Sequence, residues 1–251
     1  MHIFDGNRRV KSSSIEDRIP AVVIPMPPDR RRIAGIAQDD RSDILHSIRD
    51  PSVALALWHR QLPVCVQTWL GSLSPDELPR GRVLVRQAGF RHAFDEFLNE
   101  SGAPAGEEAS LFVSDLVRIS TLFADIAGTG LVDIGLDVVQ HDSCWKFHRD
   151  HVRLRLLTTY RGPGTHFVGQ EDADRAVEQQ RAFRGTIRQI PPHAVALFKG
   201  AKDAFGNGVV HRSPPIAGTG QTRLVLTLNL PSDGLPTFES FDSRQSEGPP
   251  A

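Results

Sequence analysis

Strand-like segments fill the second half of the chain, and they constrain the fold more than any other feature. Five segments have the alternation or the β-branched and aliphatic content of strands: LVDIGLDVVQ, WKFHRDHVRLRLLTTY, GTIRQIPPHAVALFKG, GNGVVHRS and TRLVLTLNL. Gly- and Pro-rich turns separate most of them, and between them only EDADRAVEQQRAF has a helical composition. Short strands joined by turns predict an antiparallel sandwich or barrel.

The first half of the chain has the period of helices. In AGEEASLFVSDLVRISTLFADIAGTG the apolar residues recur at helical spacing until Gly128, while Pro51 and Pro63 divide an earlier apolar segment into short helices. We therefore predict an α+β protein with a helical half packed on a β core. The predicted parts are a flexible arm over residues 1–40, a helical region over 41–130, the β core over 131–230 and a disordered tail over 231–251.

Composition narrows the classes of partner. The 29 basic and 30 acidic residues leave a net charge of -1, which does not favour a nucleic-acid or membrane-binding surface. The two cysteines, Cys65 and Cys144, form no CxxC motif, and the N-terminal residues contain no apolar signal segment. We expect a cytoplasmic protein that acts on a small-molecule substrate, whereas the oligomeric state is not readable from the sequence.

The segment around His148 and Asp150 carries the first chemical signal. One residue separates the two, so on a β-strand both side chains would lie on the same face. If the strand continues without a bulge, Thr158 and Tyr160 share that face, and Arg155 lies on the outer face with Arg153. Titratable side chains on the face of an apolar sheet indicate that this face is either exposed to solvent or in contact with a bound ligand.

A second histidine and an arginine complete the pattern. His211 follows in VVHRSPP, and two histidines with one carboxylate form the facial triad that leaves open positions on Fe(II). Arg223 begins the last strand, where a guanidinium could bind a carboxylate with two hydrogen bonds. His148 and Asp150 could also be an exposed pair without a function. The order of His148, Asp150, His211 and Arg223 along the chain favours a metal site.

This order of residues resembles that of the Fe(II)/2-oxoglutarate-dependent dioxygenases. The strand–Pro turn–strand IPPHAVALFKG and the segment VVHRSPPIAGTGQTRLVLTLNL are also similar to theirs. The resemblance implies a double-stranded β-helix, a jelly-roll barrel of the cupin type. It also implies iron bound by His148, Asp150 and His211, and 2-oxoglutarate bound by Arg223 with the Tyr160 hydroxyl. The implied reaction is the oxidation of a C–H bond.

A closer resemblance exists to the bacterial domain-of-unknown-function family numbered 1826. It spans about residues 40–230 and depends on FHRDHVRLRLLTTYRGPGT, ALFKG and VHRSPP. This resemblance implies an association with zinc-responsive genes. The alternative function is therefore a cupin-like metal-binding protein without oxygenase activity, in zinc homeostasis, with Cys144 as a further soft ligand.

Four further residues are candidates for the pocket or its surroundings, and each has a structural interpretation beside the functional one. Thr158 shares the strand face of the motif, and His166 either lines the pocket or caps a strand. Trp145 either covers the site or fills a sheet edge, and Cys144 is either a small buried apolar residue or a zinc ligand. His151, next to the motif, is expected on the opposite face.

Overall fold

The computed structural model describes residues 21–25, 34–202 and 208–231. Within these ranges the chain forms eleven strands, four α-helices and several short 3₁₀ segments. The strands are β1 Val23–Pro25, β2 Ile36–Asp39, β3 Leu55–Trp58, β4 Gly81–Arg86, β5 Leu131–Val139, β6 Leu154–Arg161, β7 His166–Phe167, β8 Ile187–Gln189, β9 Val195–Lys199, β10 His211–Arg212 and β11 Arg223–Asn229. The helices are α1 Val64–Ser72, α2 Phe90–Ser101, α3 Glu107–Ala127 and α4 Ala173–Gln179.

The strands form two sheets, which confirms the α+β prediction. The large sheet has the order β2-β3-β9-β6-β11-β5-β4, and the small sheet has the order β1-β8-β7-β10. Pairing is antiparallel except between β1 and β8 and between β2 and β3. The described strands form no closed barrel, so the predicted jelly-roll barrel is not confirmed.

The two faces of the large sheet have different surroundings. On β11, Leu224, Leu226 and Leu228 belong to the core that the sheet shares with α2 and α3, as period-2 alternation requires. The alternate residues of β11 face the other side, where the small sheet lies. There Leu157 of β6 and Phe167 of β7 share a second apolar cluster, which joins the two sheets. A site between the sheets is therefore separated from the helices by the thickness of the large sheet.

The regions predicted as an arm and as helical contain strands. β1 and β2 lie within residues 1–40, of which 1–20 and 26–33 are outside the described residues, and the predicted tail is outside them from residue 232. β3 and β4 lie within residues 41–130 and pair with β9 and β5. The four-residue run LALW of β3 is buried throughout, and periodicity cannot distinguish so short an apolar run from a piece of helix. Tertiary pairing decides its structure.

β6 is shorter than the predicted strand and begins only at Leu154. The chain bends over residues 151–153, where the end of β9 is hydrogen-bonded to it: Gly200 N donates to Arg153 O at 3.1 Å and Ala201 N donates to Asp150 O at 2.8 Å. A Cβ on Gly200 would lie 2.7 Å from Asp150 O and closer still to Val152 O. Glycine at this position therefore allows β9 to pack directly against the bend.

No α-helix within residues 34–202 combines the length and the apolar character that a membrane crossing needs.

Candidate metal centre

Backbone pairing brings the two motif histidines together. His148 lies outside any strand but forms an isolated antiparallel bridge with His211 of β10, and each backbone N donates to the other residue's O at 3.0 Å. The two imidazole centroids are 4.6 Å apart. One ligand atom from each of His148, Asp150 and His211 lies within 4.8 Å of the other two. The sequence-predicted triad is therefore assembled by the bridge and by the bend that follows Asp150.

Hydrogen bonds to backbone carbonyls set the orientation of both rings. Nδ1 of His148 lies 2.8 Å from Lys146 O, and Nδ1 of His211 lies 3.1 Å from Val209 O. A carbonyl oxygen only accepts hydrogen bonds, so Nδ1 is the donor in each ring. In the neutral imidazole the lone pair is then on Nε2, which faces Asp150 in both cases. This arrangement is the one that metal-binding histidines adopt.

The Asp150 carboxylate is buried, with only 7% of the residue exposed. Its Oδ2 lies 3.3 Å from Nε2 of His211, yet it accepts no hydrogen bond from any described residue. Burial alone would raise the pKa of Asp150, but its contacts with His148 and His211 and the charge of Arg155 lower that pKa well below its usual range. Because the carboxylate stays ionised, an anionic oxygen and two nitrogen lone pairs converge on one point.

This donor set fits a divalent transition metal. Imidazole nitrogens and a carboxylate are ligands of Fe(II) and Zn(II), and three protein ligands leave positions for other molecules. The pKa of His148 is raised, chiefly by its hydrogen bond with Asp150, so the site already favours positive charge at Nε2 in the absence of metal. A metal ion would provide that charge and would satisfy the buried Oδ2.

Arg223 is a buried cation without an anionic partner among the described residues. It is 1% exposed, and its guanidinium donates to three neutral acceptors: Pro163 O at 2.8 Å, Ser213 Oγ at 3.0 Å and Thr165 Oγ1 at 3.1 Å. No carboxylate of the described residues forms an ion pair with it. Burial lowers its pKa to about 10, which still leaves it charged at neutral pH. A guanidinium has five N–H donors, so two remain for an anion.

One cavity contains the triad histidines and Arg223. Its volume is about 410 Å³, within the range of roughly 300–1,000 Å³ that is usual for ligand pockets. The inward-facing residues of β11, namely Arg223, Val225, Thr227 and Asn229, form one wall. Gly135 on β5 has no side chain to occupy the space beside Thr227. The cavity can therefore hold a ligand that contacts both the metal centre and Arg223.

The structure does not bring Tyr160 and Thr158 to this cavity. The hydroxyl of Tyr160 donates to Asp115 on α3 at 2.8 Å, and the Tyr160 ring packs edge-on against Phe112. The hydroxyl of Thr158 donates to His193 O at 3.3 Å. The shared strand face was predicted without a bulge, but the bend at residues 151–153 breaks the alternation between the motif and β6. The two residues lie on the helix side of the large sheet.

Replacing Tyr160 by phenylalanine separates the two interpretations of this residue. We expect the free energy of unfolding to fall by about 1.5–3 kcal/mol, the usual worth of a hydrogen bond to a charged group, because Asp115 keeps only its ion pair with Arg60. If the cavity binds 2-oxoglutarate, as the resemblance implies, that affinity should stay within twofold of the wild type. Denaturant unfolding and ligand titration measure the two quantities. A tenfold loss of 2-oxoglutarate affinity at unchanged stability would place the hydroxyl at the ligand instead.

Cys144, Trp145 and His166 are the remaining predicted residues, and of these only Cys144 lines the cavity. Cys144 is exposed and lines the cavity, but its Sγ is not in the group of converging ligand atoms. Trp145 lies outside the cavity lining, and the Arg181 guanidinium stacks on its ring at 4.2 Å. His166 is buried on β7, and burial together with the charges of Arg212 and Arg223 lowers its pKa to about 4. Under the influence of Arg212 and Arg223, His166 is thus uncharged at neutral pH, and it does not line the cavity.

Sequence reasoning missed a row of polar residues across the inner face of the large sheet. Arg155 was predicted on an outer surface, but it lines the cavity and binds Asp150. Asn229 of β11 lies between Arg155 of β6 and Asp133 of β5, and Arg82 of β4 pairs with Asp133 at 2.7 Å. The alternation of β11 places Asn229 on the same face as Arg223, which is the one sequence signal that could have indicated it.

The three converging side chains define a candidate mononuclear metal centre of two histidines and one carboxylate. The family model described as "Protein of unknown function (DUF1826)" matches residues 39–229, and the chain belongs to this family. The resemblance inferred from the sequence is thereby confirmed. A comparison with curated proteins found no match.

Several solved structures of 2-oxoglutarate oxygenases are similar to this chain. Dioxygenase for auxin oxidation 1 from Arabidopsis thaliana, bound to 2-oxoglutarate, is 14% identical, with 79% of this chain and 92% of that one covered at a TM-score of 0.43. A 2OG-Fe(II) oxygenase family protein from Burkholderia pseudomallei is 15% identical, with 75% and 89% covered at 0.35. A prolyl-4-hydroxylase from Pseudomonas putida is 12% identical, with 70% and 97% covered at 0.32.

Proposed function

We propose that this protein is an Fe(II)- and 2-oxoglutarate-dependent oxygenase that acts on a small-molecule substrate, with the two sheets arranged as a double-stranded β-helix. The observation that carries the proposal is Arg223. A guanidinium that is 1% exposed and has no anionic partner among the described residues is costly to bury. It lines the same cavity as His148 and His211. A ligand with one carboxylate for Arg223 and a chelating group for the metal removes that cost.

In this proposal each residue has one role. His148, Asp150 and His211 would hold the iron, and a set of three protein ligands leaves coordination positions free. When bound, iron with 2-oxoglutarate supplies the activation of O₂ that oxidises a C–H bond. Arg223 anchors the distal carboxylate of 2-oxoglutarate. Ser213 and Thr165 orient the guanidinium by accepting its N–H groups.

The rest of the cavity is the proposed substrate space. Its lining beyond Arg223 includes Arg82, Asp137 and Asn229 together with the apolar Leu157 and Val225, so a substrate would meet both polar and apolar groups. Asp137 has a pKa raised by burial, and the charges of Arg82 and Arg155 oppose that shift. A substrate for this space is a small molecule with polar and apolar parts.

Anaerobic titration of the metal-free protein with Fe(II) and 2-oxoglutarate tests the proposal. We expect the weak visible charge-transfer band of the iron chelate to appear only when protein, Fe(II) and 2-oxoglutarate are all present. Glutarate, the same five-carbon dicarboxylate without the keto oxygen, is the matched control and should give no band. The absence of any band with 2-oxoglutarate, at protein concentrations that bind Fe(II), would contradict the proposal.

A zinc-binding function is the second candidate, and the position of Cys144 is the observation that favours it. Cys144 lines the same cavity as His148 and His211, and thiolate is a preferred zinc ligand. Replacing Cys144 by alanine distinguishes the two functions. The oxygenase proposal expects Zn(II) and Fe(II) affinities within about twofold of the wild type. A loss of Zn(II) affinity of more than roughly 100-fold, beyond the 10- to 100-fold typical of residues that only orient a ligand, would favour the zinc function.

A further inference from the structure

We propose that Arg155 is a positioning residue for the metal centre, which directs a single oxygen of Asp150 toward the metal. This inference rests on the proposed metal site, although it does not depend on the reaction that the site performs. Nη1 of Arg155 lies 2.6 Å from Oδ1 of Asp150. Asp150 thus has one oxygen bound to an arginine and one, Oδ2, buried without a hydrogen-bond partner among the described residues.

The division between the two oxygens follows from geometry. Oδ2 lies 3.3 Å from Nε2 of His211 and accepts no hydrogen bond from the described residues. Oδ1 is 3.5 Å from Nε2 of His148, but its contact with Arg155 is much shorter. An ion pair of that length with a buried carboxylate restricts rotation of the carboxylate. Arg155 would therefore leave Oδ2 as the oxygen of Asp150 that is available to a metal ion.

Arg155 is itself held in place by the polar row. Its Nε donates to Oδ1 of Asn229 at 2.7 Å, and Nδ2 of Asn229 lies 3.4 Å from Oδ2 of Asp133. Asp133 accepts two hydrogen bonds from Arg82, from Nε at 3.2 Å and from Nη2 at 2.7 Å. Residues Arg155, Asn229 and Asp133 are direct cross-strand neighbours on β6, β11 and β5. The large sheet thus fixes the guanidinium from the side opposite the metal ligands.

Two electrostatic effects of Arg155 oppose each other. Its positive charge repels a divalent cation, which would weaken metal binding. It also holds the buried carboxylate in the orientation that binds the metal, so no reorganisation is needed. Partners that orient a metal ligand typically contribute 10- to 100-fold in metal affinity. We expect the orienting effect to be larger because Asp150 is 7% exposed and has few alternative hydrogen-bond partners.

The test is an anaerobic titration with Co(II), followed by its visible d–d absorption, on the full-length protein and three variants. Arg155→Gln should weaken Co(II) binding by roughly 10- to 100-fold and change the shape of the spectrum, because Oδ1 becomes free to coordinate. Arg155→Lys retains a charged donor and should recover part of the affinity. Arg153→Gln is the matched control: Arg153 is exposed and two residues away, and its variant should bind and absorb like the wild type.

The outcomes separate this inference from the proposed function. Unchanged affinity and spectrum in Arg155→Gln, or tighter binding, would overturn the positioning role. A variant that loses its fold would be recognised by its unfolding curve, and Asn229→Ala then provides the second measurement, with a smaller loss expected in the same direction. The wild type could bind Co(II) and still give no iron–2-oxoglutarate band. That result would contradict the proposed oxygenase function and leave the role of Arg155 intact.

Discussion

Replacing Arg223 by alanine is expected to abolish measurable 2-oxoglutarate binding while metal binding persists. Removing one partner of a buried, hydrogen-bonded charge pair costs about 2–5 kcal/mol, which corresponds to roughly 30- to 4,000-fold in Kd. The metal ligands are separate side chains, so the affinity of the variant for Fe(II) alone should stay close to that of the wild type. Titration of the charge-transfer band measures the first quantity, and metal analysis after dialysis measures the second.

Two controls keep the Arg223 experiment specific. Arg153→Ala makes the same substitution at an exposed arginine and should leave the affinities for 2-oxoglutarate and for Fe(II) unchanged. Unfolding curves establish that the alanine variant is folded, which matters because Pro163, Ser213 and Thr165 lose a hydrogen-bond donor. A folded Arg223→Ala protein with wild-type affinity for 2-oxoglutarate would refute the assigned role, and the buried charge would then need another explanation.

The histidines of the motif provide the second large effect. His148→Ala removes one of three protein ligands, and we expect metal affinity to fall by more than roughly 100-fold, beyond the loss typical of residues that only orient a ligand. Turnover of 2-oxoglutarate should disappear with the metal. His151 is exposed, lies three residues further along the chain and is the matched control. His151→Ala should keep both properties.

Metal content and 2-oxoglutarate consumption, measured on the two histidine variants under the same conditions, decide the assignment. Loss in both would indicate that the segment between Phe147 and Leu154 tolerates no change, and His148→Gln would then be compared at equal stability. Retention of metal and turnover in His148→Ala would show that His148 is not a ligand, even though its Nε2 faces Asp150.

Much of the candidate site could be predicted from the order of residues along the chain. His148, Asp150, His211 and Arg223 are the residues that the resemblance implies, and the structure places the three metal ligands within 4.8 Å of one another. Strand β11 also follows from its alternation, since Leu224, Leu226 and Leu228 are buried against the helices. Local patterns of this kind survive in the fold because each strand face has one consistent environment.

The positions that the sequence misplaced lie beyond the bend at residues 151–153. A period of two assigned Tyr160 to the metal side and Arg155 to the outside, and the structure has the reverse for both. The interruption depends on hydrogen bonds from Gly200 and Ala201, which are distant in sequence. No pattern within the segment itself indicates that β9 will end against it.

The sequence by itself determined the identity and order of the candidate ligands, the strand-rich second half and the family, because these depend on residue types and local spacing. Only the tertiary structure decided which face of β6 lines the cavity, that Arg223 is buried without a counter-ion among the described residues, and that Arg155 binds Asp150. These features depend on pairing between strands that are far apart along the chain. Burial and charge compensation are properties of the assembled cavity, since they exist only when the two sheets are in contact.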